Sequence, residues 1–458
     1  MGLSLAALAG CSSGSSSAHA QTQTFCVNPT GSGGCYSTIS AAVAAASPGQ
    51  IITVEAGTYK EMVSINKPLD LEGSDVPNAP SIIDAAGLAH GIYIGGVTTG
   101  PTVIRSFEVE DANREGILVE NSTQVTIARN LVEDNDKALD TSLFVQGTCP
   151  TGKICCPNAF PMDQDDCGEG LHLRGVMQST VESNLVTGNA GGILLTDETG
   201  PTAYNLITHN ASQNNTPDCG ITLPSHALCG PGSNDSAGCV GGPQIGKPAN
   251  GVFSNIVNHN LSQGNGAAGI GIFTPTPGTQ AHSNVVADNL VEDNAQGGVV
   301  LHSHAAGQDL NDNNISFNLI VGNGADPGVT TVPAGVILFA DGSATTPTGA
   351  PAPAAPLTGI NVVHNAISDE GIDVFVGTKV ATSLIATLND LSGAGNAIGV
   401  DNEGTGTVAA QANWWGCTAG PGADPACATI KGTVLTTPIL TSPVNVPNLS
   451  SSTAGGFQ

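Results

Sequence analysis

Four apolar runs in this 458-residue chain end in groups able to move a proton or hold a cation. Counted from a leading glycine, the fifth and sixth places after Gly192 are Asp197 and Glu198, and those after Gly220 are Ser225 and His226. Gly298 leads to Ser303 and His304, and Gly335 to Ala340 and Asp341. A further run carries its groups earlier, with Glu169 before Gly170, and His172 and Arg174 after it. A carboxylate beside an imidazole favours the charged imidazole, which suits general acid–base work, and the same pairing suits a cation. The candidate catalytic residues are His226, His304, Asp197, Glu198, His172, Glu169 and Asp341. Arg174, Ser225 and His302 are the candidate substrate contacts. His302 is expected to alternate away from His304. For His172, between Leu171 and Leu173, a solvated outward position is the competing reading.

These runs are rungs of a repeat that must position them. Glycine-led triplets recur as GIYI at Gly91, GILV at Gly116, GLHL at Gly170, GILL at Gly192 and GITL at Gly220. GIGI at Gly269, GVVL at Gly298, GVIL at Gly335 and GIDV at Gly371 continue the series. Before most of them runs a second unit, such as NLVEDN at Asn130, NLITHN at Asn205 and NLIVGN at Asn318. The shorter glycine-to-glycine intervals are 22 to 29 residues. Such a period, with two or three short strands in it, predicts a solenoid. Alternate side chains then fill a narrow core, and equivalent asparagines stack about 4.8 Å apart. Glycine and asparagine are expected at the corners because both tolerate left-handed backbone. Groups in one register fall on one face, so Asp197 or Glu198 should neighbour His226, and His304 should neighbour Asp341.

The triplets and the N-x-[VI]-x-x-N units resemble the repeats of right-handed parallel β-helix proteins, the pectin-lyase-like superfamily, over residues 26–446. Ser37–Glu61 resembles their entry, an amphipathic helix capping the open end followed by the first coil. Asn413–Gly422, NWWGCTAGPG, resembles the last coil of many bacterial members, and Trp414 and Trp415 are read as its seal. The resemblance implies an all-β fold: a single right-handed parallel β-helix over residues 37–446 with an N-terminal capping helix. Residues 21–36 form an N-terminal segment before it, and residues 447–458 a disordered tail. The superfamily includes lyases, hydrolases, epimerases and inert scaffolds, so fold does not select an activity. The aspartate and GHG set of polygalacturonase-like hydrolases and the DPH motif of alginate-epimerase-like enzymes are not found, so no catalytic assignment carries over.

Composition narrows the partners. The formal charge of −27 repels nucleic acid and anionic membrane, and works against an anionic polysaccharide unless a bound cation intervenes. All four arginines fall between Arg105 and Arg174, which is where a local basic site would lie. Cys26/Cys35 and Cys417/Cys427 are close pairs among 12 cysteines, and this usage reads as disulfides in an oxidising compartment. Leu8–Cys11, LAGC, resembles the bacterial lipobox, in which Cys11 is lipidated; cleavage after Ala20 is the rival. Export of residues 1–20 as a leader is expected, to the periplasm, outer membrane or cell exterior, with membrane contact only through a lipid on Cys11. No cofactor is specified; Met162–Asp166, with three carboxylates, suits calcium without matching a known loop. The chain is expected to be a monomer that binds a polysaccharide or cell-envelope glycan. It either cleaves or modifies that glycan or serves as a tethered scaffold, and a periplasmic metal-handling role is a third reading.

Overall fold

The computed structural model describes residues 25–138, 169–226, 250–274, 278–303, 308–340, 356–378, 380–381, 383–392 and 397–446. Cys11, His304, Asp341, Met162–Asp166 and residues 447–458 lie outside the described residues.

Successive coils lay their strands into three parallel sheets of 14, 12 and 11 strands. Each glycine-led triplet supplies the 12-stranded sheet, and its register is continuous along the solenoid. Ile117 pairs with Leu171, then Ile193, Ile221, Ile270, Val299, Val336 and Val374. All of these are buried in one core that runs the length of the described coils. The period of two explains it: the first and third residues of each triplet face inward, and the second faces out.

One rung is placed differently from its sequence reading. Ala334 pairs with Ile372 and Val336 with Val374, so Asp373, not Gly371, stands opposite Gly335. The apolar triplet of that coil is Val374–Phe375–Val376.

Stacked asparagines line three corners. From Asn130 to Asn413, each backbone N–H and side-chain amide donates to the Oδ1 of the asparagine one coil on. For Asn210 these bonds to Asn260 are 2.9 and 3.0 Å, and its Nδ2 also donates to the Val181 carbonyl at 2.9 Å. The corner backbone is thereby satisfied without water. A second ladder runs from Asn135 through Asn189 and Asn215 to Asn323. A third joins Asn205, Asn255, Asn284 and Asn313.

Left-handed backbone falls at the corners, but one place before the ladder asparagine. Glycine or asparagine holds that place at Gly188 (69°), Asn214 (55°), Gly264 (66°) and Gly322 (66°), while His209 (56°), His259 (55°) and Phe317 (57°) hold it elsewhere; the leading glycines and the ladder asparagines themselves have no such φ. The leading glycines are needed for space. A Cβ on Gly269 would stand 2.3 Å from Val291 Cγ1, and one on Gly220 2.1 Å from Ser262 Oγ. Gly269→Ala is expected to cost about 1–3 kcal/mol of unfolding free energy in a urea titration, the usual range for overpacking.

The second ladder ends on a carboxyl. Glu370 Oε1 takes the place of an asparagine oxygen, accepting from Asn323 N at 2.9 Å and Nδ2 at 3.0 Å. Burial pushes its carboxyl up from 4.5 to about 7, against those two hydrogen bonds. The folded protein thus holds this proton more tightly than the unfolded chain. The stabilisation it contributes is complete below about pH 4.5 and is lost as pH rises through about 7. Glu370→Gln keeps the acceptor and removes the charge. The variant should match the wild type near pH 4.5 and exceed it at pH 8 by roughly 2–3 kcal/mol in urea titrations.

The ends are closed as the sequence implies. The helix Ile39–Ala45 buries Ile39, Ala42 and Val43 over the first coils. Thr38 Oγ1 caps it by accepting from Ala41 N, and Glu61 accepts from Ile39 N at 2.7 Å and Ser40 N at 2.9 Å. Ahead of this helix, Phe25–Val27 already adds a strand beside Ile52–Val54. At the far end Trp415 is fully buried. Disulfides join Cys26 to Cys35 and Cys417 to Cys427. Among the described residues, no helix is long and apolar enough to cross a membrane.

Candidate active site on the outer face of the twelve-stranded sheet

His90, Glu115 and Glu169 each stand immediately before the leading glycine of one of three consecutive coils. His172 follows on the outward row, paired with Leu118 and Leu194. The register brings these four side chains together. Glu115 Oε2 lies 2.8 Å from His90 Nδ1, and Oε1 lies 3.4 Å from His172 Nδ1. One ligand atom each of Glu115, Glu169 and His172 lies within 4.8 Å of the others. On its far side, His172 Nε2 is 2.8 Å from Thr196 Oγ1. Burial alone would raise the Glu115 carboxyl. Hydrogen bonds from His172 and His90 and their charge outweigh it and hold the group well below the usual carboxylate range. Glu115 and His172 are sealed at 1% exposure each, whereas the His90 side chain is 13% exposed.

A second group adjoins the first. Glu120 pairs in register with Arg174, whose guanidinium is 3.1 Å from its Oε1. The Tyr93 hydroxyl donates to Glu120 Oε2 at 2.9 Å. Burial, then the bond to Glu120 and its charge, push the Tyr93 phenol up against the opposing effect of Arg174, so it stays protonated at neutral pH. The Tyr93 ring stacks on His90 with centroids 6.3 Å apart.

The sequence-predicted pair at the strand ends also meets. His226 Nδ1 is 3.3 Å from Glu198 Oε1. Asp197 is committed to backbone. It accepts from Ser225 Oγ at 2.9 Å, His226 N at 2.7 Å and Gly251 N at 2.5 Å, and its carbonyl accepts from Asn250 Nδ2 at 2.8 Å. Ser225 Oγ in turn accepts from Gln280 N. Asp197 therefore ties His226 to Asn250 and Gly251, the two ends of the stretch 227–249. Burial pushes its carboxyl up to about 7.

His302 is held away from both groups, edge-on between Phe273 and Phe339 at 5.3 and 4.6 Å. Around it the outer face turns apolar, with Val300, Ile337 and Phe375 in one buried cluster.

Of the residues singled out in the sequence, the structure gathers Glu169 and His172 into one centre with Arg174 beside it, and joins Glu198 to His226 with Asp197 and Ser225. The outward direction of His172 from the core is as alternation requires, but the ring is buried, not solvated. His90, Tyr93, Glu115 and Glu120 were not singled out. The signal was present: HG, EG and EG occupy the same place in three successive rungs.

Residues 81–235 match a family model described as the right handed beta helix region. Comparison with curated proteins gives no match. Among solved structures, the GH136 lacto-N-biosidase from Eubacterium ramulus superposes with a TM-score of 0.51 at 8% identity, over 92% of this chain and 68% of that one. The Azotobacter vinelandii mannuronan C-5 epimerase AlgE4 A-module gives 0.40 at 12% identity, over 86% and 91%. A mannuronic acid specific polysaccharide family 6 lyase from human gut microbiota gives 0.41 at 12%, over 90% and 82%. The three-sheet coil and its repeating register make this chain a right-handed parallel β-helix protein.

Proposed function

We propose that this protein is an exported, glycan-acting enzyme whose working centre is the cluster of His90, Glu115, Glu169 and His172. The observation that carries this reading is a buried carboxylate gripping two imidazoles, one of them open to the surface. In such a pair the carboxylate fixes the ring's orientation. His90 is then the group that takes or gives the proton. Tyr93 and the Glu120–Arg174 pair border it and supply hydrogen bonds to sugar hydroxyls. Glu198 and His226 follow the ends of the strands one and two coils on from His172, where a linear glycan would continue. The fold is shared with a structure named as a lacto-N-biosidase, which makes glycans the substrate class to try first. Two disulfides support export, because such bonds persist in oxidising compartments.

The test is a panel of neutral and acidic polysaccharides incubated with the purified protein, with and without calcium. New reducing ends are read beside ultraviolet absorbance from unsaturated sugars. Reducing ends alone identify a hydrolase, and both signals identify a lyase. Silence across the panel, with binding retained, would instead favour a scaffold whose buried Glu115 network is a latch between coils.

A further inference from the structure

We propose that Glu115, Glu169 and His172 bind one first-row divalent metal ion of the zinc or manganese class. The inference rests on the reading of this cluster as the working centre, but binding is measured apart from turnover. The three donors come from adjacent coils, are all buried, and present one imidazole nitrogen and two carboxylate oxygens within 4.8 Å of one another. Metal–ligand bonds of about 2.0–2.2 Å set tetrahedral donors about 3.4 Å apart. His172 Nδ1 and Glu115 Oε1 already stand at 3.4 Å, and Glu169 closes on them by a side-chain shift of about 1 Å. A mixed imidazole and carboxylate set suits zinc or manganese. Calcium takes six to eight oxygens.

The surroundings of the donors are those of metal ligands. His172 Nε2 is engaged by Thr196 Oγ1 at 2.8 Å, which leaves Nδ1 directed at Glu115 Oε1, 3.4 Å away. A divalent ion between Nδ1 and Oε1 would replace the hydrogen bond that joins them, with Nε2 keeping its proton toward Thr196. Glu115 Oε2 is held by His90 at 2.8 Å, which leaves Oε1, on the His172 side, as the ligand atom. Outer contacts of this kind fix a ligand's tautomer and angle. Three protein donors also leave a position open for water or a sugar oxygen. Burial of two neighbouring carboxylates is costly, and a divalent charge offsets it.

The experiment uses the purified full chain, dialysed against EDTA and titrated separately with Zn2+, Mn2+ and Ca2+. The expected result is one Zn2+ or Mn2+ per chain by calorimetry and elemental analysis. The melting temperature should rise by on the order of 3 °C at a hundredfold excess over Kd. Glu169→Gln should weaken binding tenfold or more. Thr196→Val, which leaves every donor in place, should weaken it about 10–100-fold, and it keeps the test valid if Glu169→Gln misfolds. Glu110→Gln, in the separate carboxylate group of Glu108, Glu110 and Glu133, should leave Kd unchanged. Failure to bind, tighter binding of Ca2+ than of Zn2+ or Mn2+, or loss of binding in Glu110→Gln would each overturn the inference. Turnover that survives EDTA in a chain that binds no metal would overturn it while leaving the acid–base reading intact. Metal binding without turnover on any glycan would support it and remove the acid–base reading.

Discussion

Glu115→Gln is expected to lower turnover of the responsive glycan by 10²–10⁴-fold, the range a positioned acid–base group contributes. Glutamine matches the size of glutamate and keeps one oxygen, so packing is retained. It cannot carry the charge that Glu115 holds between His90 and His172. One imidazole then faces an amide N–H in place of an oxygen, and His90 loses its fixed orientation. The loss should fall on kcat, since Glu115 is sealed from the surface and makes no contact with bound sugar. His90→Ala should match it, because His90 is the one member of the pair of imidazoles that reaches the surface, at 13% exposure. Circular dichroism and the melting temperature check that the coils remain. A loss confined to KM would assign Glu115 to binding.

Asn260→Ala is expected to destabilise the solenoid by about 4 kcal/mol in a urea titration. The side chain is fully buried and makes four hydrogen bonds. Its Oδ1 accepts two from Asn210, and its Nδ2 donates to the Ile207 carbonyl at 2.9 Å and Asn289 Oδ1 at 3.0 Å. Alanine leaves the Asn210 N–H and the Ile207 carbonyl buried without these partners, and each such group costs about 1–3 kcal/mol. Because each coil packs only on its neighbours, the damage should stay local, and hydrogen exchange should accelerate most in the coils of Asn210, Asn260 and Asn289. A change below about 1 kcal/mol would mean that water replaces the ladder at this corner.

The fold was legible because one rule repeats. Isoleucine, leucine and valine at the first and third places of each triplet specify an inward row, and the spacing of Asn255, Asn260 and Asn265 in one coil specifies its three corners. The role of glycine was misread because sequence shows that a side chain is missing and not what would occupy its space. Gly269 faces Val291 Cγ1, and that neighbour comes from the approach strand one coil on, 22 residues away in sequence. The site was legible in part. Aligning the residues after each triplet predicted that Glu198 and His226 would meet, because register fixes neighbours. It passed over Glu115, which shares a column with His90 and meets His172 from another column on the far side of the leading glycine. Burial of His172 also lay beyond a period-two argument, which sets direction from the core and not what covers the outer face.

The most direct measurement is a side-by-side assay of the wild type, Glu115→Gln and Glu198→Gln on the same polysaccharide panel, at equal folded concentration. The account predicts glycan turnover by the wild type, a loss of at least 10²-fold in Glu115→Gln, and a far smaller loss in Glu198→Gln. Full activity in Glu115→Gln, with the loss appearing instead in Glu198→Gln, would contradict it and move the working centre to His226.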